Sequence, residues 1–589
     1  MAIYRSDQSQ LTFGAEAAQG GSPEMQTGAR VDSGEFDTTL AAVANAGDAS
    51  IVVAGDTGDI VVGDHIRIGG ENGANAGATT KVEFEVRRIV FSSSTTVYLD
   101  RPLGFYHASG EHVEQVNANL TGSNQFFNYI TQVPGVYETV TVPDMTPSIE
   151  PRYYLGTAAK RQAAEFYAGQ QTFSGSLGGM VLLNANPLRF PIGKMTTVPS
   201  AVASDTITLD GEVRKGDIYI DCQGGDVGNL AVNDYVQITD AAGATTTSEV
   251  RQLLAEPATD IFRLDKPLRF DHPDVSLIHE VSGGATPSGY FTHTITPEND
   301  LDTISWHVHM RDSGETAAND FDRRYYGGMV DSATITAEEG GLLTFGWDTV
   351  NFMGMVHNQA KVSQSDVDIG SEAALTTLYN SSDQPAGMPK YALMNTISGT
   401  DDISFPSNNP YYFSQGSVKF MGQEIARMRS FNISISNATE PRYYISGRYD
   451  RNRGPSEIRE GRKSYTMSCT LALPDTGAAG TAISRDNATE IFKQLILEGN
   501  YGDALGMEGF NVSLKFIRGT NDSIEIVIPD DYTSGTESGG ADPGINNQGA
   551  FITSAPHNIT GDGSALQVDV DMIFRSLKIV VVDSVGSYA

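Results

Sequence analysis

His307 and His309 stand two residues apart, a spacing that puts both imidazoles on one face of an extended strand and could begin a metal site. A structural zinc needs four ligands, and no third one is evident nearby, so the pair reads as ordinary strand histidines. His107 and His112 are also close together. The paired carboxylates Asp401-Asp402 and Asp530-Asp531 lack the alternating loop ligands of a calcium site. Ser174-Gly175-Ser176 lacks the Gly-x-Ser-x-Gly spacing of a nucleophile elbow. The Gly-rich runs Gly69-Gly70-Glu71-Asn72-Gly73 and Ser538-Gly539-Gly540-Ala541 are not followed by Lys-Ser or Lys-Thr and open no helix, so they are loops rather than phosphate cradles. The expectation is a protein without catalytic residues, metal or cofactor.

The residues that do stand out are repeated. Glu150-Pro151-Arg152-Tyr153-Tyr154 recurs as Glu440-Pro441-Arg442-Tyr443-Tyr444. Each copy is followed by a polar stretch and then an alternating segment, 171–177 in one case and 464–471 in the other. Matching context points to one fold present twice. Two readings of the motif stay open. The arginines Arg152 and Arg442 could pair with carboxylates such as Glu150 and Glu440 across subunit boundaries, with Tyr153, Tyr154, Tyr443 and Tyr444 as interface anchors. Alternatively, Pro ends one element and the tyrosines cover a core.

A second repeat is independent of the first. Val62-Gly63-Asp64-His65-Ile66-Arg67-Ile68 matches Val232-Asn233-Asp234-Tyr235-Val236-Gln237-Ile238, Glu85-Val86-Arg87 matches Glu249-Val250-Arg251, and Leu99-Asp100-Arg101-Pro102-Leu103 matches Leu264-Asp265-Lys266-Pro267-Leu268. His107 is answered by His272. Short alternating strands broken by Gly, Asn and Asp turns predict two copies of a small β-module.

These elements sit in a long, acidic chain. Its 589 residues predict several domains, and 62 Gly with abundant Thr, Val and Tyr favour strands over helices. A formal charge of −34 argues against a surface that grips nucleic acid by neutralising phosphates and suits one that repels DNA, although it also describes any well-solvated acidic protein. Two cysteines, Cys222 and Cys469, are too few for a disulfide framework. The N-terminal residues lack the basic start and apolar run of an export signal, and no apolar stretch is long enough to span a bilayer, so assembly in a cytoplasm is expected.

Along the chain, 1–45 reads as an extended arm ordered only by contact, 46–117 as the first small module and 200–283 as the second. The second is inserted into a larger unit formed by 118–199 and 284–360. A polar connector, 361–410, leads to a second large unit, 411–589. Asp486 or Asn487 as N-cap and Gly499 as stop predict a helix over 487–498. Leu566-Gln567-Val568-Asp569-Val570-Asp571-Met572-Ile573 alternates as a strand with one buried face.

The run Thr172-Phe173-Ser174-Gly175-Ser176-Leu177-Gly178-Gly179-Met180-Val181-Leu182-Leu183-Asn184-Ala185-Asn186-Pro187-Leu188, then Ile335-Thr336-Ala337-Glu338-Glu339-Gly340-Gly341-Leu342-Leu343-Thr344-Phe345, resembles the tail tube proteins of tailed bacteriophages. In that family a Gly-Ser-hydrophobic strand leads into a short helix and a Glu-Gly-Gly hairpin closes the sheet. The second large unit is similar, with the 487–498 helix in the matching place and 559–566 as the counterpart hairpin. The resemblance implies a mainly β fold: two tandem tail-tube-type β-sandwich or barrel domains, each with a short helix, plus two small inserted β-barrel-like modules. It further implies a structural virion protein whose partners are itself, in stacked rings of three copies (pseudo-hexameric) or six, and the neighbouring tape measure, tail terminator, baseplate and, in a contractile tail, sheath proteins. DNA would pass in transit, without specific binding, through a tail assembled in the host cytoplasm.

Two other readings remain. A baseplate hub or distal tail protein also carries two tube folds in a trimer. A carbohydrate-binding β-protein would use the small modules, but Trp306 and Trp347 both lie outside them, leaving neither module an aromatic platform.

Overall fold

A computed structural model describes residues 4–16, most of 37–116, 135–153, 165–312, 321–357, 409–472, 511–530 and 549–588, with short gaps inside these blocks. The alternation in the sequence is what builds it. Along Ser464–Ala472, Tyr465, Met467, Cys469 and Leu471 are buried while Ser464, Thr466 and Ser468 are exposed, and Met428–Ser436 and Gln567–Phe574 alternate in the same sense. Successive side chains of a strand point to opposite faces, so such strands make a sheet with one face on a core and one polar face.

That sheet has twelve strands. Its main path runs Ala550–Ser554, Gln567–Phe574, Ser464–Ala472, Met428–Ser436, Phe321–Glu338, Thr344–Phe352, Glu165–Val181 and Thr139–Arg152, antiparallel throughout. The first four strands come from the second half of the chain and the last four from the first. The halves therefore share one continuous sheet in a mainly β fold, and no barrel closes among the described residues. Their seam runs from Ser332↔Ser436 to Glu338↔Ser430. It forms because Ala333 and Ile335 on one strand and Ile433 and Ile435 on the other all turn to the same core.

A second sheet of seven strands contributes to that core, in the order Gly193–Pro199, Phe291–Pro297, Lys578–Asp583, Asp522–Ile528, Val512–Gly519, Gly416–Phe420 and Gln423–Glu424. Lys578–Asp583 joins Phe291–Pro297 of the first half to Asp522–Ile528 of the second. Between Glu165–Val181 and Gly193–Pro199 lies the helix Asn186–Ile192, every residue of it buried.

The N-terminal residues are more than an arm. Tyr4–Ala15 is a strand paired with Ile304–Asp312, and it places Leu11 and Phe13 in the main core. Phe13 meets Phe190 and Trp347 edge to face, each at 5.5 Å between ring centres, and Trp347 stacks on Trp306 at 5.9 Å. The Trp347 indole N–H donates to the Pro187 carbonyl at 3.2 Å, which ties the helix to the sheet. Leu11 and Phe13, apolar at alternate positions, carry the end of this strand into the core.

Each small module is a six-stranded antiparallel sheet with its own core. The first takes in Asp37–Thr39, so it begins before 46; Leu40 and Ala44 are buried in its core and bridge to Val53 and His107. The second spans Val202–Thr208 to Leu277–Val281 and is fastened to the body through buried and half-buried polar groups. Ser248 Oγ donates to the Thr197 carbonyl at 2.7 Å, Lys215 pairs with Asp302 at 2.7 Å, and Arg269 donates to the Tyr588 carbonyl. The repeated Glu and His meet here: His272 Nε2 lies 2.9 Å from Glu249 Oε1, with Arg251 on the other carboxylate oxygen at 2.5 Å. In the first module, His107 contacts Glu111 at 2.7 Å.

The expected helix over 487–498, the hairpin 559–566, Asp401-Asp402, Tyr154 and nearly all of the 361–410 connector lie outside the described residues.

Candidate functional site

The polar face of the large sheet is laid down strand by strand. From the first half it carries Thr139 and Thr141, then Thr172, Ser174 and Ser176, then Asp348 and Asn351, then Ser332, Thr334, Thr336 and Glu338. From the second half it carries Ser430, Asn432, Ser434 and Ser436, then Ser464, Thr466, Ser468 and Thr470, then Asp569 and Asp571. No Lys or Arg occurs in 139–146, 172–181, 329–338, 344–352, 430–436, 464–471, 550–554 or 567–574, although the chain holds 39 of them. Neighbouring strands link across the face, Thr470 donating to Asp569 at 2.8 Å and Thr334 to Asp348 at 3.2 Å. Partial burial raises the Asp348 carboxyl above the ordinary range, against the lowering effect of the Thr334 hydrogen bond. Across the seam lies an open recess of about 300 Å³ lined by Thr336, Glu338, Ser430, Asn432, Ser468 and Asp569.

Chemically this is a carpet of hydroxyls, amides and carboxylates. Such a surface stays hydrated and, over these segments, offers a polyanion no Lys or Arg, so little is gained there from counterion release.

The repeated pentapeptides lie where the strands leave this sheet. Glu150 and Arg152 end Thr139–Arg152, exposed and ion-paired with each other at 3.2 Å. Glu440 and Arg442 form the same pair at 2.7 Å in the short ribbon Glu440–Arg442 with Glu457–Arg459. Tyr153 and Tyr444 are exposed, whereas Tyr443 is half-buried and donates to the Gln171 carbonyl of the first half at 3.1 Å. The second copy therefore sits on the boundary between the halves.

One constellation escaped the sequence. Thr197 Oγ1 lies 2.9 Å from His293 Nδ1, and His293 Nε2 lies 3.2 Å from Asp583 Oδ1. The spacing imitates a hydroxyl-imidazole-carboxylate triad. All three are buried, and Tyr588 caps Asp583 at 2.6 Å, so no substrate reaches the hydroxyl. Burial alone would raise the Asp583 carboxyl, but His293, Tyr588 and the Val585 amide hold it below the ordinary range. Residues so far apart in the chain gave no local signal. His307 and His309 pair in register with Thr12 and Gln10, and no cluster of three or more metal-ligating side chains occurs among the described residues.

Two packed antiparallel sheets, one with a hydroxylated face whose central segments carry no Lys or Arg, define the class as a β-rich protein. The phage tail tube protein family matches residues 122–567, most of the chain, and the chain belongs to that family. Its place is thereby the virion tail, in assembly with other tail proteins. No curated protein matches the chain.

Proposed function

We propose that three copies of this chain close a ring of the tail tube, that the rings stack, and that the polar sheet face lines the conduit through which DNA is delivered. The observation that carries this reading is the strand order. In the first half the order is Thr139–Arg152, Glu165–Val181, Thr344–Phe352, Phe321–Glu338; in the second it is Met428–Ser436, Ser464–Ala472, Gln567–Phe574, Ala550–Ser554. The repeats make these successions equivalent, and they are joined head to tail. At the seam, the last strand of the first half pairs with the first strand of the second. Among the described residues, the counterparts of those two strands, Thr139–Arg152 and Ala550–Ser554, are the edges of the main path.

Open edges invite pairing with another chain, and a head-to-tail contact that repeats by rotation closes a ring. With eight strands per chain in the main path, three copies give a wall of about twenty-four, in the size class that leaves an open channel. The domain division proposed is a tube unit of 118–199 with 284–360 and another of 411–589. The modules at 37–117 and 200–283 decorate the outside, and the protein has no enzymatic role. Tape measure, terminator and baseplate proteins are the proposed neighbours, in a tail assembled in the host cytoplasm.

Quantitative mass spectrometry of purified virions tests the tube against a hub. Enough copies for many rings supports the tube, and copies sufficient for a single ring would reassign the chain to the baseplate.

A further inference from the structure

We propose that the hairpin carrying the first Glu-Pro-Arg-Tyr-Tyr motif is a clasp that inserts Phe166 into a socket on the second half of a neighbouring copy of this chain. The proposal rests on the ring reading above. It follows from comparing the two copies of one hairpin inside the chain. In the second copy Pro441 faces Ile458 across the ribbon, and in the first copy Pro151 faces Phe166. Ile458 and Phe166 are therefore equivalent positions.

Their surroundings are opposite. Ile458 is 2% exposed and packs with Leu301, Met329 and Met353, all of the first half. Beside it the Leu301 amide donates to Glu460 at 2.9 Å, and the Gly461 amide donates to the Asn437 carbonyl at 3.0 Å. Phe166 is 69% exposed, and Ile149 and Tyr153 on the same hairpin are 61% and 66% exposed. Three large exposed side chains on one two-stranded ribbon mark a binding surface.

The occupant is fixed by the repeat. The second hairpin docks on the half that precedes it in the sheet. In a head-to-tail ring the first hairpin is preceded by the second half of the adjacent copy, around the ends of Ala550–Ser554 and Gln567–Phe574. Exposed aromatic anchors of this kind dominate an interface when they enter a pocket. The motif thus has one role in both places, satisfied within the chain in one copy and between chains in the other.

The test places a photo-crosslinking benzoylphenylalanine at position 166 of the full-length chain, irradiates the assembled protein and maps the adducts by peptide mass spectrometry. Adducts to 528–577 of another copy support the clasp. Adducts confined to the same chain, to the small modules or to the first half of another copy overturn it while leaving the ring intact. A wild-type chain that never assembles overturns the ring, and the clasp with it. In parallel, Phe166→Ser should raise the protein concentration needed for assembly by about tenfold or more, the scale of one anchoring side chain. Tryptophan fluorescence should be unchanged and Phe166→Leu should recover most of the loss. Assembly of Phe166→Ser at the wild-type concentration counts against the proposal.

Discussion

Phe13→Ala isolates the contribution of the N-terminal strand. Phe13 is 1% exposed and touches Phe190 and Trp347 at 5.5 Å on two sides. Truncating a buried Phe to Ala removes its transfer free energy and leaves a cavity, together about 3–5 kcal/mol. Two edge-to-face contacts, each about 0.5–1.5 kcal/mol, place the expectation at the upper end of that range. The chain has only two tryptophans, and both Trp306 and Trp347 lie in this core. Urea unfolding of unassembled protein followed by tryptophan fluorescence therefore reads this core and not the small modules, whose separate transitions would blur a global signal. The expected result is a lower midpoint with an unchanged slope, equivalent to about 4 kcal/mol. A loss below about 1 kcal/mol, the scale of a surface substitution, would show that Tyr4–Ala15 does not supply the core.

Other perturbations follow from the same structure. Glu249→Ala leaves Arg251 and His272 buried without their carboxylate and should cost the second module about 3–5 kcal/mol, read by hydrogen exchange over 249–281. Burial alone would raise the Glu249 carboxyl, but Arg251, His272 and the Arg269 amide hold it at about 2, against an ordinary 4.5. The contribution, about 3 kcal/mol, is thus complete above pH 4.5 and is lost as pH falls towards 2, so the same exchange measurement should show acid loosening of that module in this window. Asn437→Ala removes a side-chain amide that donates to the Pro191 and Val330 carbonyls at 3.0 and 2.9 Å and should weaken the seam by about 1–3 kcal/mol in the tryptophan assay. Burial, then Asp571 and Asp569, push the Cys469 thiol up to about 12, so it should stay unreactive towards a thiol reagent until the sheet unfolds. The double variant Asp569→Lys, Asp571→Lys should make assembled tubes retain duplex DNA, with log K falling by about 0.9 per decade of salt for each phosphate neutralised. Retention by wild-type tubes at moderate salt would remove the claim of a non-adhesive wall.

Much of the fold was legible because strand alternation is local. Tyr465, Met467, Cys469 and Leu471 can be buried together only on one face of a strand, and the repeats at 150 and 440 announced a duplication before any pairing was known. The joining of the halves was not legible. That seam depends on Phe321–Glu338 meeting Met428–Ser436, far apart in the chain, and nothing within either segment names the other. Tyr4–Ala15 reads only as an extended arm for a related reason: a composition rich in polar residues hides Leu11 and Phe13, the two apolar side chains that enter the core. The polar face was half legible. Asp569 and Asp571 were visible as one side of a strand, but the absence of Lys and Arg acquires meaning only when eight strands lie side by side.

The most direct measurement of the central claim is cryo-electron microscopy of the assembled protein, with mass measurement of single rings. The account predicts three 63.1 kDa chains per ring, an outline with pseudo-sixfold symmetry and a continuous inner wall in which Ala550–Ser554 of one copy pairs with Thr139–Arg152 of the next. A ring of six chains, or a wall in which those two edges stay apart, would contradict it.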